Sequence, residues 1–190
     1  MNWRTTAALL IVLIALGGYV YYQDQQEPEP PPIPTAVAAP PAREPLFPGA
    51  TINGVEQLEV TRREDGLMAI FVRDETGEWT RTVPTTTLVI SQTLNTQVTG
   101  LINTSSTQRI AADANPLSVY GLDNPAYEIA LTVTRTDGKL VRYTLRVGNE
   151  VPTGNNFYIQ RKGDGRMHVV PSGSIQNMIN LLETPPLAGP

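Results

Sequence analysis

Residues 115–133 read NPLSVYGLDNPAYEIALTV and change their periodicity within nineteen positions. Asn115 and Pro116 suit the N-cap and the first position of a helix, and Gly121 suits the left-handed position that ends one. Asn124 precedes a proline and is therefore pushed toward extended geometry. Apolar and polar side chains then alternate, as in a strand with one buried face. The stretch predicts one helical turn, a sharp stop and a new β-strand.

Strand patterns lie on both sides of this joint. Upstream, VEQLEVTRREDGLMAIFV (55–72) contains two apolar runs about Asp65-Gly66, which indicates a hairpin, and EWTRTV (78–83) indicates a third strand. Downstream, one hairpin is predicted about Asp137-Gly138 and another about Gly163-Asp164-Gly165. The chain is therefore predicted to form mainly antiparallel sheet.

A helix is predicted after each set of strands. Within residues 85–103 the apolar side chains recur at spacings of four, four and three, which places them on one helical face: Ile90, Leu94, Val98 and Leu101. Ser172 is predicted to cap a second helix. Its apolar face contains Ile175, Met178, Ile179 and Leu182.

The two halves resemble each other. LEVTRREDG, from Leu58, and LTVTRTDGK, from Leu131, match at several positions. We therefore predict two similar units, 51–114 and 115–186, within one domain. Because neither half alone would bury much apolar surface, the predicted fold class is α+β: antiparallel β-meander units, each closed by a helix, in one compact domain over residues 51–186.

The N-terminal region has a different composition. Residues 5–22, TTAALLIVLIALGGYVYY, carry no charge and end in aromatic residues. A bilayer core takes roughly 20 apolar residues as a helix, and aromatic side chains favour its interfaces. We predict a single transmembrane anchor in residues 1–22, with the N-terminus cytoplasmic because Arg4 precedes the apolar run. Alternatively the run is a cleaved signal peptide, for which Ala15-Leu16-Gly17 is a weak cleavage site.

Residues 23–50 are rich in proline and lack a periodic apolar pattern. Such chains adopt polyproline II at about 3.1 Å per residue, so this linker could hold a domain up to roughly 80 Å from the bilayer. It is predicted to be a stalk. Alternatively it is a ligand for a proline-recognition domain.

Three segments carry a resemblance to a known family: YGLDNPAYEIALTV (120–133), LRVGNEVPTGNNFYIQ (145–160) and MHVVPSGSIQNMI (167–179). With the anchor and stalk, they resemble a bacterial envelope family known only as a domain of unknown function. Its members are often encoded near ABC-type transport or gliding-motility components. The resemblance covers roughly residues 47–182 and implies no catalytic residues.

Composition and motifs indicate no catalytic chemistry. The net charge is −4, which argues against nucleic acid, and the absence of Cys excludes a disulfide framework. His168 is the only histidine, and we predict that it lies on the polar face of a strand, at the surface. Ser172 lacks a nucleophile motif and fits a helix cap instead. No catalytic, metal or cofactor site is predicted, and a hydrolase is the least favoured class.

One group of basic residues suggests a docking surface. Arg142 and Arg146 share a strand face, and four more lie on neighbouring strands or turns: Arg135, Arg161, Lys162 and Arg166. These six would bind an acidic partner or anionic headgroups. Alternatively they belong to a solvated sheet face with edge-protecting charges.

The expected function is that of a non-catalytic, membrane-anchored accessory subunit outside the cytoplasm. It would contact the bilayer through residues 5–22 and dock onto other subunits of a respiratory or photosynthetic electron-transfer complex or an ABC-type transporter. Alternatively it binds envelope polysaccharide or peptide, which for a sugar requires aromatic rings on an exposed face. The candidate rings are Trp79, Tyr127, Tyr143 and Tyr158.

Overall fold

The computed structural model describes Trp3, Leu16, Tyr19, residues 43–111 and residues 115–188. The chain divides into two compact units, Met1–Pro40 and Pro41–Pro190. Apart from Leu16 and Tyr19, the anchor predicted for residues 5–22 lies outside the described residues, as does the stalk up to residue 42. No helix in the described part of the chain has the length and hydrophobicity needed to cross a bilayer.

The second unit is built mainly from antiparallel strands. Within the described residues these are β1 (Glu44–Pro45), β2 (Val55–Arg62), β3 (Met68–Arg73), β4 (Trp79–Val83), β5 (Thr87–Leu88), β6 (Ser105–Ser106), β7 (Gln108–Ile110), β8 (Tyr127–Thr134), β9 (Leu140–Glu150), β10 (Asn156–Arg161) and β11 (Met167–Pro171). Nine of these described strands form the main sheet, in the order β5-β4-β3-β2-β8-β9-β10-β11-β7, and β1 pairs with β6.

The predicted hairpins are confirmed. β2 pairs with β3 across the Asp65-Gly66 turn, and β10 pairs with β11 across the turn that contains Gly163. β8 and β9 pair without a register shift across the turn that contains Gly138. All three glycines have positive φ, the conformation that such turns require and that side chains disfavour.

Two α-helices lie among the described residues, α1 (Ser91–Ile102) and α2 (Ser172–Asn180). The predicted apolar face of α1 is confirmed at Leu94, Val98 and Leu101, which are buried, but Ile90 precedes the helix and is exposed. In α2, Ile175 and Met178 are buried as predicted, whereas Leu182 lies beyond the end of the helix. The predicted cap at Ser172 is wrong. Ser172 is the first helical residue, and Pro171 holds the N-cap position without a side-chain hydrogen bond.

The predicted fold class is wrong. In place of helix-closed meander units, the main sheet is continuous, since β2 pairs with β8 at its centre and Leu58 lies opposite Leu131. The described chain is mostly β-sheet with two α-helices, and it contains no apolar transmembrane helix. The two strand sets join because β2 and β8 form backbone hydrogen bonds with each other. If the sets were separate, each of these strands would be an edge strand with unpaired backbone groups.

One face of the main sheet and the two α-helices enclose the hydrophobic core. Residues from the sheet centre, such as Leu58 and Leu131, join those from α1 and α2 in one cluster. Leu46 and Phe47 belong to this cluster too, so the packed unit includes residues ahead of the predicted boundary at residue 51. The second face of the sheet carries the alternating polar side chains, among them Arg142, Thr144 and Arg146.

Residues 117–122, which precede β8 in the joint, pack onto this second face. A 3₁₀ turn spans Leu117–Tyr120, and Gly121 has φ of 67°, as predicted. The Leu122 amide closes the turn by donating to the Leu117 carbonyl at 2.9 Å. The cap prediction for Asn115 is wrong, because its Nδ2 donates instead to the Tyr120 hydroxyl at 3.0 Å. Tyr120 and Leu122 pack with Met167 in a small second cluster.

Candidate functional site

A cavity of about 860 Å³ opens where β9 begins beside the β10–β11 turn. Four of the six basic residues predicted to form a docking surface line it. We call this cavity the basic notch and define it by its charged lining residues: Glu44, Arg142, Arg161, Lys162, Asp164 and Arg166. These residues come from three segments of the chain, Glu44, Arg142 and residues 161–166, that only the folded sheet brings together.

The β10–β11 turn positions most of the notch. Gly163 has φ of 85°, which lets the chain reverse directly after Lys162. The Asp164 amide donates to the Arg161 carbonyl at 3.0 Å, and the Asp164 carboxylate accepts from the Arg166 amide at 3.1 Å. Burial alone would raise the pKa of Asp164. The Arg166 amide, the Arg161 charge and His168 together lower that pKa below its usual value, so the carboxylate is ionised.

The cations of the notch differ in how far they are neutralised. Arg161 Nη2 lies 2.9 Å from Asp164 Oδ2, and Arg161 Nη1 donates to the Leu46 carbonyl at 3.3 Å. Arg142 Nη2 pairs with Glu59 Oε2 at 2.9 Å while its side chain stays half exposed. The Lys162 and Arg166 side chains make no ion pair or hydrogen bond within the described residues, and both residues are exposed.

The other two predicted residues lie outside the notch. Arg135 lies at the β8–β9 turn, where Nη2 is 3.9 Å from Asp137 Oδ2. Arg146 shares the strand face of Arg142 but lies opposite Glu128 and Gln160, farther along the sheet. The structure therefore brings together four of the six residues.

The prediction that His168 lies at the surface is wrong. His168 is 2% exposed, and on the sheet it lies opposite Ile159 and Arg109. Its Nε2 is 3.5 Å from Asp164 Oδ2, so it lies directly behind the notch. The signal in the sequence is the run MHVV, since a continuous apolar run is typical of a strand buried on both faces.

The candidate sugar-binding rings do not form an exposed row. Trp79 is buried, and its Nε1 donates to Asn95 Oδ1 at 2.8 Å. Tyr143 is buried, and its hydroxyl donates to the Pro48 carbonyl at 2.6 Å. Tyr127 packs against the core, and Tyr158 packs edge-on against Tyr120. These contacts assign the rings to packing.

Two other cavities offer different chemistry. A cavity of about 800 Å³ beside the β3–β4 turn contains Glu56, Asp74 and Glu75. The carboxylate of Asp74 already accepts hydrogen bonds within its own turn, and Glu56 accepts one from Thr134. A groove of about 610 Å³ beside the Leu117–Tyr120 turn has a lining without charged residues. No group of three or more His, Cys, Asp or Glu residues in the described ranges could hold a metal ion.

In a comparison with known proteins, a protein-family model matches part of the chain. The family model described as Domain of unknown function (DUF4340) matches residues 79–184, from the start of β4 to just beyond α2. No curated protein matches the chain, and no solved structure does. The matched range contains every charged residue of the basic notch except Glu44.

Proposed function

We propose that this chain, which belongs to the family described as Domain of unknown function (DUF4340), is a non-catalytic accessory subunit that docks onto a larger membrane protein complex through the basic notch. One observation carries the proposal. Lys162 and Arg166 line a cavity while their side chains have no counter-charge within the described residues. Unpaired cations beside a cavity attract a ligand with negative charge, and no nucleic-acid footprint accompanies them in this acidic chain.

The partner chemistry follows from the charges of the notch. Four cations and two carboxylates line it, so the notch has an excess of positive charge. An acidic segment of another protein would neutralise Lys162 and Arg166 and could add to the pairing of Arg142. Hydrogen bonds between ionised partners are roughly twice as strong as neutral ones. Complementary charge also raises the association rate.

The location forms part of the proposal. Residues 5–22 would attach the chain to the bilayer, with the N-terminus in the cytoplasm and the second compact unit outside it. Residues 23–42 would supply the reach to a neighbouring subunit. The composition of these segments supports this arrangement. The partner complex would be an ABC-type transporter or a respiratory or photosynthetic electron-transfer assembly, and the family's proposed association with transport and gliding components favours the transporter.

The test is a matched pair of charge reversals in the full-length chain, expressed in its native cells. Lys162→Glu changes the notch, whereas Arg146→Glu makes the same charge change on β9, outside the notch. After gentle detergent extraction, native-size analysis and identification of co-purifying chains, we expect Lys162→Glu to weaken the complex and Lys162→Glu/Arg166→Glu to abolish it. Arg146→Glu should leave it intact.

Salt provides a second arm of this test. Raising salt from 0.1 M to 1 M shortens the Debye length from about 10 Å to about 3 Å, so retention of the unaltered chain should fall. A complex that survives both the double reversal and high salt contradicts docking through the notch. That outcome would leave the predicted membrane anchor and the linker as the means of attachment.

A further inference from the structure

His168 is the buried polar side chain whose surroundings are hardest to explain by packing alone. It is 2% exposed, and neither ring nitrogen makes a hydrogen bond within the described residues. Asp164 Oδ2 lies 3.5 Å from Nε2. Buried polar groups are nearly always hydrogen-bonded, and an unmade bond costs about 1–3 kcal/mol. Both nitrogens of the ring are therefore buried without the hydrogen bonds that would offset their desolvation.

Charged groups face this ring from each neighbouring element. Asp164 lies on the β10–β11 turn, and Arg161 lies at the end of β10. Arg109 lies directly opposite His168 on β7, and its Nη1 is 3.1 Å from Glu44 Oε2 on β1. Two carboxylates and two guanidinium groups therefore surround the ring. Like the ring nitrogens, Glu44 Oε2 is buried without a well-aligned hydrogen bond within the described residues.

A proton would change these contacts. Neutral imidazole donates from one nitrogen only, whereas the protonated ring donates from both. Protonated Nε2 could donate to Asp164 Oδ2 across the present 3.5 Å gap, after a small movement. Burial lowers the pKa of His168, and the neighbouring carboxylates of Asp164 and Glu44 oppose that shift. The ring is thus neutral at neutral pH and takes up a proton only below the usual titration range of histidine.

The same carboxylates belong to the basic notch. Asp164 Oδ2 now pairs with Arg161 Nη2 at 2.9 Å, so an imidazolium would share that oxygen and leave Arg161 less neutralised. The added proton also places one more positive charge directly behind the notch. Both effects increase the attraction of the notch for an anion. Because coupling between two sites is reciprocal, an anion in the notch must in turn favour the protonated ring.

We propose that His168 is a proton-binding site and that its protonation increases the affinity of the basic notch for its acidic partner as the pH falls. This inference rests on the proposed function, because it concerns the regulation of the same notch. His168 is the one histidine of the chain.

The experiment follows the imidazole directly. Since the chain contains one histidine, the signal of its Hε1 ring proton can be assigned to His168 by NMR in the full-length protein in detergent micelles. The probe is a hexa-aspartate peptide, titrated between about pH 4.5 and about pH 7.5, because histidine ordinarily changes charge between about pH 5 and 8 and the pKa of His168 lies below its usual value. We expect the peptide to raise the pKa of His168. An increase of about half a unit requires about threefold tighter binding of the peptide to the protonated form.

Two variants separate the proton site from its surroundings. His168→Gln removes the titrating group, so peptide affinity should become constant over the same pH range. In Asp164→Asn the ring is retained but its nearest carboxylate is lost, so the pKa of His168 should fall. Circular dichroism of each variant checks that the fold is kept, and Asp164→Asn keeps the inference testable if His168→Gln does not fold.

Each outcome has one meaning. Peptide binding that depends on Lys162 and Arg166 but leaves the pKa of His168 unchanged overturns this inference and retains the notch as a docking site. A His168→Gln variant with an unaltered pH dependence of binding also overturns it. An Asp164→Asn variant in which the pKa of His168 does not move removes the link between ring and notch. Absence of peptide binding at every pH contradicts the proposed docking function and the coupling together.

Discussion

Two glycines, Gly121 and Gly148, allow the 3₁₀ turn at Leu117–Tyr120 to pack closely against β9. A Cβ on Gly121, whose φ is 67°, would collide with the Asn149 side chain and would lie 3.0 Å from the Asn149 amide nitrogen. A Cβ on Gly148 would collide with the Tyr120 carbonyl oxygen. The 3₁₀ turn and β9 thus approach each other too closely for any side chain at these positions. Both glycines lie within the segments that carry the family resemblance.

Replacing Gly121 tests this close approach. Gly121→Ala should lower the free energy of unfolding by about 2 kcal/mol, since it combines a disfavoured backbone conformation with a steric clash. Gly163→Ala is the matched control, because Gly163 also has positive φ but has open space around it, and it should cost about 1 kcal/mol. Urea unfolding of the full-length chain measures both. Equal losses would show that the contact with Asn149 contributes nothing.

Between elements, two hydrogen bonds from Trp79 connect the sheet to α1. Trp79 on β4 is buried, and its indole Nε1 donates to Asn95 Oδ1 on α1 at 2.8 Å. The Trp79 amide also donates to the Ser91 hydroxyl, at the first residue of α1. Since α1 is rich in Thr and contains Gly100, its own helix propensity is low. Its stability therefore depends on these contacts and on its buried face.

Removing the Asn95 side-chain amide tests the hydrogen bond from the Trp79 indole. Asn95→Ala leaves a buried indole N–H without its acceptor, so unfolding should become easier by about 1–3 kcal/mol. In a Trp79→Phe background the same substitution should cost much less, because no N–H remains to be satisfied. Thermal or urea unfolding of the four proteins of this cycle gives the coupling energy. A cost that is identical in both backgrounds would contradict the role of the bond.

At the scale of the whole molecule, the pairing of β2 with β8 joins two strand sets, β2 to β5 on one side and β7 to β11 on the other, into one sheet. Leu58 and Leu131 lie opposite each other at this seam, and both are fully buried. Trp79 reports on one side of the seam and His168 on the other, which allows the two sides to be followed separately.

Cooperativity across the seam is therefore measurable. In a Trp3→Phe background, urea transitions followed by Trp79 fluorescence and by the His168 NMR signal should coincide, as two-state unfolding requires. Leu58→Ala should shift both transitions together by about 2–5 kcal/mol, because it opens a cavity in the shared core. Leu88→Ala, at an exposed position on β5, should change either by less than about 0.5 kcal/mol. Separate transitions would mean that the two strand sets unfold independently.

The sequence by itself determined the local structure. The turn residues at Asp65-Gly66 and Gly163 predicted hairpins, the spacing of Leu94, Val98 and Leu101 predicted the buried face of α1, and Gly121 was correctly assigned positive φ. Each of these features depends on backbone sterics or on periodicity within a few residues, so the neighbouring sequence carries the information. All four cations of the notch were among the six basic residues predicted from the sequence, since they lie on adjacent strands or at a turn.

Only the tertiary structure decided how those pieces combine. The pairing of β2 with β8 joined strands that the sequence had assigned to separate units, because backbone hydrogen bonds between strands far apart leave no local mark. The same long-range packing buried His168 behind Asp164 and placed Glu44 beside Arg109, about sixty residues along the chain. Burial and charge pairing are properties of neighbours in space. The electrostatics of the notch, and with them its proposed control by a proton, could therefore be read only from the folded chain.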